Sequence, residues 1–235
     1  MEASGIDFNF SSVPQGPPDP ILKMAYAYRE DKNENKVNLG VGAYRDEEGK
    51  PYVFPVIKKA EEMIVADTNL DKEYSKQEGL ADFAKGARGA MLGWDHPDVT
   101  SGRVATCQSL SGSGALRLLG EFIQQFCPGP MYISKPTWSN HIPVFKTKLG
   151  FDVTEYRYYK ADTRGLDFEG MMEDLSKAPP GAWVLLHTCA HNPTGVDPTM
   201  DQWKQLAQLF KEKQLRAFFD TAYQGFVTGD LDKDG

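Results

Sequence analysis

Four short segments place chemically useful side chains directly after apolar runs. Ser109-Leu110-Ser111-Gly112-Ser113-Gly114-Ala115-Leu116-Arg117 is a turn of small residues that opens into a helix-forming stretch. Glycines let backbone approach an anion, the hydroxyls of Ser111 and Ser113 can donate, and the free N–H groups of a helix start favour negative charge. The same residues also suit an ordinary helix start with glycine for close packing. Two nucleotide motifs are excluded: a dinucleotide fingerprint needs glycine or alanine where Arg117 stands and an acid near Lys135, and a Walker loop needs a Gly-Lys-Ser/Thr step.

Lys135-Pro136-Thr137-Trp138-Ser139-Asn140-His141 offers an indole and an imidazole. Trp138 can stack on a flat ligand or fill a core, and His141 alone fits a structural histidine equally well. His187-Thr188-Cys189-Ala190-His191-Asn192-Pro193-Thr194-Gly195 ends in a sharp turn. Its His, Cys and His lie at a strand end with no fourth ligand nearby in sequence, so no metal is expected. Asn192, fixed by the following proline, can instead hydrogen-bond a ligand oxygen. Finally, Phe219-Asp220-Thr221-Ala222-Tyr223 sets an acid against an apolar strand, which is costly without a cation or donor beside it. Asp220 can pair with a protonated ring nitrogen while Tyr223 donates to the same ring; a helix N-cap followed by a packing tyrosine is the alternative.

Positioning these groups requires ordered elements. Pro14, Pro17, Pro18 and Pro20 block helix and ladder alike, so residues 1–20 read as an extended arm. Ile21 to Arg29 has helical character, and Lys36 to Tyr44 reads as a short strand interrupted by two glycines. Apolar spacing of three and four predicts helices over Val56 to Asp67 and Gln77 to Leu92. The chain then alternates between strands (Arg103 to Gln108, Met131 to Ser134, Asp152 to Tyr158, Trp183 to His187, Leu215 to Phe219) and helices (Gly114 to Cys127, Asn140 to Leu149, Asp167 to Ser176, Met200 to Lys213). Strands separated by helical crossovers imply an α/β fold whose mostly parallel sheet carries helices on both faces. In such sheets ligands bind beyond the carboxyl ends of the strands, where the four segments fall. The expected organisation is the arm at 1–20, part of a small domain at 21–54, and the first part of a large domain at 55–235.

Composition narrows the partners. Among 235 residues, 26 Lys and Arg against 33 Asp and Glu leave a net charge of −7. Scattered, outnumbered cations cannot displace counterions from a duplex, so nucleic acid is not expected. No apolar run approaches the roughly 20 residues of a membrane span. Three dispersed cysteines argue against a disulfide framework and for a reducing compartment. The first ten residues carry two acids and no base, unlike a targeting leader, which points to the cytoplasm.

Taken together, the four strand-end segments describe one ligand. It has a phosphate for the serine-glycine turn, a flat ring for Trp138, a ring oxygen for Asn192 and Tyr223, and a basic ring nitrogen for Asp220. Pyridoxal 5'-phosphate has these features, and its ring acts as an electron sink only while an acid keeps its nitrogen protonated.

At this point Val37-Asn38-Leu39-Gly40-Val41-Gly42-Ala43-Tyr44, the segment from Ser111 to Arg117, Pro136 to His141, Ala190 to Gly195 and Phe219 to Phe226 together resemble the aspartate aminotransferases of fold-type I, from about Gly16 to Gly235. The resemblance implies that Ser111, Gly112 and Ser113 bind the cofactor phosphate, with Ser113 standing where family members have threonine. It implies that Trp138 stacks on the ring, Asn192 and Tyr223 bond its phenolic oxygen, and Asp220 holds its nitrogen with His141 behind. Gly42, Trp138 and Asn192 would line the substrate side. Tyr74, in Lys72-Glu73-Tyr74-Ser75, matches a tyrosine that crosses to the phosphate of a second subunit, so a homodimer is implied. The implied reaction moves an amino group from L-aspartate to 2-oxoglutarate, giving oxaloacetate and L-glutamate in a ping-pong sequence. The resemblance also requires a Schiff-base lysine and carboxylate-binding arginines downstream of Asp220. Lys233 lies in a polar turn unsuited to that role, so no catalytic residue is assigned within the chain, which is expected to be an amino-terminal portion. Two alternatives to this reading are an aromatic amino acid as substrate, since those arginines lie outside the chain, and a short, inactive phosphate-binding protein. Gly16 to Leu22 and Leu70 to Tyr74 resemble the mitochondrial branch of the family.

Overall fold

The structure is a computed structural model that describes residues 10–16, 20–38 and 42–235. The chain divides into two units, residues 1–73 and 74–235.

Among the described residues the first unit contains a 3-10 turn at Phe10–Ser12, helix α1 (Pro20–Glu30) and helix α2 (Pro55–Ala66). Most of the expected arm, at residues 1–9 and 17–19, lies outside the described residues, as does the centre of the expected strand at residues 39–41. Lys36 closes the end of α1, its Nζ donating to the carbonyls of Tyr28 (2.7 Å) and Asp31 (2.5 Å). A cation near a helix C-terminus meets the negative end of the dipole. A proline at its start gives α2 a preset φ. The helix buries none of its residues, and Val56, Ile57, Met63 and Ile64 are exposed within the chain.

The second unit holds the sheet. Helices α3 (Ala81–Leu92) and α4 (Pro97–Thr100) lead to α5 (Ser111–Phe126), after which β1 (Met131–Lys135), β2 (Val153–Arg157), the hairpin strands β3 (Tyr159–Lys160) and β4 (Gly165–Leu166), α6 (Phe168–Ser176), β5 (Trp183–His187), α7 (Met200–Lys213), β6 (Arg216–Asp220) and α8 (Leu231–Asp234) follow. The main sheet runs β2-β1-β5-β6, all pairs parallel, with Leu185 opposite Phe218 and His187 opposite Asp220. Alternation along the strands sends side chains to both faces. Ile133, Leu185 and Phe218 pack with Leu116 and Ile123 of α5 and with Phe145 and Phe151. Val184 and Leu186 pack on the other face with Met171 and Leu175 of α6 and Leu206 and Leu209 of α7. The expected α/β class with helices on both faces is what the chain adopts.

Local chemistry explains the helix boundaries. Asp167 caps α6 by accepting from Gly170 N–H at 3.0 Å. Thr199 and Gln202 form a reciprocal capping box at α7, and Gln214 ends that helix in the left-handed region at φ +54°. The helix expected from Gln77 begins only at Ala81, because Gly79 at φ +93° breaks the turn and Gln108 Oε1 takes the Leu80 N–H (3.1 Å). The stretch expected as a helix from Asn140 widens into a π-helical turn at Pro143–Lys148, where Leu149 N–H reaches Val144 O.

The strand expected over Arg103 to Gln108 does not form among the described residues. Its apolar pattern yields extended backbone, but a strand exists only with a neighbour to complete its ladder. Among the described residues Arg103 N–H bonds Asp98 O (2.9 Å) and Gln108 N–H bonds Glu78 O (2.8 Å), and neither bond starts a ladder.

Candidate active site

Because β5 and β6 are neighbours in register, their carboxyl ends bring His187 beside Asp220, and β1 delivers the 136–141 loop next to them. Asp220 is the last residue of β6 and no helix starts directly after it, which removes the N-cap reading of this acid. His141 is fully buried and its Nε2 lies 2.9 Å from Asp220 Oδ2. A carboxylate oxygen accepts, so the imidazole N–H donates here. His141 Nδ1 is 2.6 Å from Thr137 Oγ1, whose oxygen is 3.4 Å from His187 Nε2, and His187 Nδ1 accepts from Asn192 N–H at 3.2 Å. One direction satisfies all four contacts: Asn192 donates to His187, His187 to Thr137, Thr137 to His141 and His141 to Asp220. The backbone of the Asn192 loop is thereby connected to the strand-end acid.

Beneath this chain, His191 stacks on Tyr158 with ring centroids 3.8 Å apart. Its Nε2 meets Ser134 Oγ (2.9 Å) and its Nδ1 meets Thr194 Oγ1 (2.8 Å). The nitrogens of His187 and His191 thus face hydroxyls and an amide, and among the described residues no group of His, Cys, Asp and Glu could hold a metal. Burial, with a smaller contribution from neighbouring His141, holds His187 down at about 4, while Asp220 opposes the shift. Burial, then His187 and His141, holds His191 at about 3. Both rings are therefore neutral near pH 7, which the donor order above requires.

The other expected site residues fall as follows. Trp138 is half-buried against the α5 side of the sheet, and its ring meets His141 edge-on with centroids 5.4 Å apart. Tyr223 is half-buried in the turn after β6, where its carbonyl accepts from Phe226 N–H. Ser111, Gly112 and Ser113 are exposed in the first turn of α5, with Ser111 at φ +61°. Unlike α6 and α7, α5 has no side-chain cap at its N-terminus, and a Cβ built on Gly112 would meet open space. Tyr74 is exposed at the start of the second unit. Gly42 is exposed in the first unit and is not assigned to the strand-end cluster.

Several residues escape sequence reasoning: Thr137 and His187, which join His141 to the Asn192 loop; Ser134, which meets His191; and Asp197, which accepts from the N–H groups of Ala190 and His191. Only His187 carried a prior signal, as a side chain at a strand end.

The donor set fits pyridoxal phosphate. Among the described residues nothing donates to Asp220 Oδ1, nor does the Asn192 side-chain amide make a hydrogen bond, so an acceptor for a ring nitrogen and a donor for a ring oxygen stand free on adjacent loops. The uncapped, glycine-bearing start of α5 supplies N–H groups suited to a phosphate.

Comparison with known proteins agrees with this geometry. The family model for Aminotransferase class I and II matches residues 34–234. The cytoplasmic aspartate aminotransferase of Oryza sativa subsp. japonica is 54% identical over 226 residues, covering 96% of this chain and 55% of that relative. Among solved structures, aspartate aminotransferase from Saccharomyces cerevisiae cytoplasm has a TM-score of 0.88 at 42% identity, covering 96% of this chain and 55% of that one. An aromatic-amino-acid aminotransferase from Burkholderia pseudomallei, covalently bound to pyridoxal phosphate, has a TM-score of 0.88 at 39% identity, covering 96% and 56%. The chain spans about half the length of the relatives it matches. With its parallel sheet, its strand-end acid and a match over residues 34–234, the chain belongs to the class I and II aminotransferase family.

Proposed function

We propose that this chain carries the cofactor-holding part of a pyridoxal-phosphate aspartate transaminase, which converts L-aspartate and 2-oxoglutarate to oxaloacetate and L-glutamate. The observation that carries the reading is the buried His141 donating to Asp220 at the end of β6, with the acid's second oxygen left for a cationic ring nitrogen. The names of the rice and yeast relatives support aspartate as the amino donor. The bound ring supplies an electron sink for breaking a bond at the substrate's α-carbon.

Each residue of the chain then has a defined task. Asp220 retains the proton on the ring nitrogen, and His141 keeps the carboxylate oriented. Asn192 and Tyr223 donate to the ring oxygen, Ser111, Gly112 and Ser113 to the phosphate, and Trp138 covers one face of the ring. Trp138 and Asn192 also adjoin the substrate. Tyr74 reaches the phosphate of a second copy, and the exposed apolar residues of α2 support a homodimer. Residues 21–54 contribute to a small domain and residues 55–235 to a large one. None of these residues forms the covalent bond to the cofactor: Lys233 is exposed and paired with Asp230 at 3.3 Å. Among the described residues no helix is long and apolar enough to cross a membrane, and the name of the rice relative supports a cytoplasmic location.

Titration of the chain with pyridoxal 5'-phosphate, followed by quenching of tryptophan fluorescence, tests the proposal. Saturable binding is expected, weakened about 10- to 100-fold by Asp220→Ala, the range for losing a hydrogen bond to a charged group. Equal binding by wild type and Asp220→Ala, or no saturable binding, refutes it. A second reading, an aromatic amino acid as donor, is favoured by the likeness to the Burkholderia enzyme. Transaminase assays of the enzyme containing this sequence, with aspartate against phenylalanine, decide between the two.

A further inference from the structure

The loop that follows β5 is held by a carboxylate that no part of the proposed cofactor chemistry uses. Asp197 Oδ2 accepts from Ala190 N–H at 2.7 Å and Oδ1 from His191 N–H at 2.9 Å. Ala190 has φ +48°, the left-handed region that a residue with a Cβ adopts only where its surroundings impose it. Among the described residues no ion pair involves Asp197, and these two amides are its hydrogen-bond donors. The loop is closed further by Gly195 N–H to His191 O (2.7 Å) and by Thr194 Oγ1 bridging His191 Nδ1 and Val196 N–H. Asn192 sits inside this closure with its backbone N–H on His187, while its side-chain amide makes no hydrogen bond among the described residues. The loop backbone around the amide is held by these hydrogen bonds while the side-chain amide makes none among the described residues, an arrangement that suits a donor preorganised for a ligand.

We propose that Asp197 is a positioning residue that holds the Asn192 amide in place for the oxygen of the bound ring. This rests on the assignment of Asn192 to that oxygen. Asp197 touches neither cofactor nor substrate; it acts by imposing the backbone of Ala190 and His191 on the residue that follows.

The test compares wild type, Asp197→Ala and Asp197→Asn, with Thr199→Ala as a control that removes the cap of α7 without touching the loop. Two probes are titrated: pyridoxal 5'-phosphate and its 3-deoxy analogue, which lacks the ring oxygen. Asp197→Ala is expected to weaken pyridoxal phosphate about tenfold, the size of one hydrogen bond, and the analogue by less than about twofold. Asp197→Asn, which keeps one acceptor, falls between. In an Asn192→Ala background the Asp197 substitution adds less than about twofold, because both changes remove one interaction. Thr199→Ala lowers the melting midpoint but leaves both affinities unchanged. Amide hydrogen exchange on the ligand-free chain is read in parallel, and Asp197→Ala is expected to speed exchange at Ala190, His191 and Asn192 selectively.

Equal weakening of both probes, additivity with Asn192→Ala, or unchanged exchange at these three amides overturns the proposal. If wild type binds neither probe, the cofactor assignment of the site fails with it, while the exchange data still decide whether Asp197 holds the loop.

Discussion

Burying His187 and His191 as neutral rings makes the stability of this chain depend on pH in a direction the structure dictates. His187 is 7% exposed and His191 1% exposed. Burial and neighbouring imidazoles hold them at about 4 and about 3 respectively, whereas each returns to about 6.5 when the chain unfolds. Since the folded values lie below the unfolded one, the unfolded chain binds more protons between them. Stability is therefore complete above about pH 6.5 and falls as the pH drops toward 4 and then 3. At pH 5 each histidine is almost fully protonated when unfolded and almost fully neutral when folded, a penalty of roughly 2 kcal/mol apiece relative to pH 8. Together, roughly 4 kcal/mol is a large share of the ~5–15 kcal/mol that stabilises a typical domain. Urea unfolding from pH 8 to 4.5 measures this, and the slope near pH 5 is expected to correspond to uptake of about two protons on unfolding. His191→Gln, which keeps an amide to meet Ser134, reduces that to about one, and adding His187→Gln brings it near zero. An unfolding free energy that stays flat from pH 8 to 5, or a double variant that keeps the wild-type slope, refutes the reasoning.

Two further outcomes follow from the packing and the surface ion pairs. Ile133, fully buried between Leu185 and the α5 helix, is expected to lose about 2–5 kcal/mol on substitution by alanine, read from the urea midpoint; a loss below ~1 kcal/mol would show that this face of the sheet is not the packed core. The hydrogen bond from Arg157, against an opposing effect of burial, holds the Asp174 carboxyl at about 2, so its contribution is present above about pH 4 and is lost as the pH falls through about 2. Arg157→Ala should let Asp174 titrate near its ordinary value in a carboxyl carbon NMR titration, at a stability loss below ~1 kcal/mol that shrinks in salt, because Arg157 is half-exposed. An unchanged Asp174 titration would remove Arg157 as the cause.

Much of this protein was determined by local chemistry that sequence carries openly. The apolar run at Trp183–His187 and the amphipathic spacing at Met200–Lys213 became the strand and helix they predicted, because side-chain periodicity follows directly from backbone geometry. The order of strands and crossovers was likewise enough to place Trp138, Asn192 and Asp220 at strand ends, where parallel sheets bind ligands. What only the tertiary structure decided depends on partners distant in the chain. Arg103 to Gln108 has a strand's composition and no described neighbour to complete its ladder, and the helical promise of Gln77 gives way to a glycine turn held by Gln108. The contact of His141 with Asp220 joins residues 79 positions apart, and that of Thr137 with His187 spans 50, so no spacing rule could reveal them. Asp197 lies only five residues beyond Asn192, yet its role arises from a left-handed alanine and a closed loop that no periodicity encodes. Residue types announce which chemistry is available; which donor meets which acceptor is settled only when the sheet brings the strand ends together and burial leaves each polar group in need of a partner.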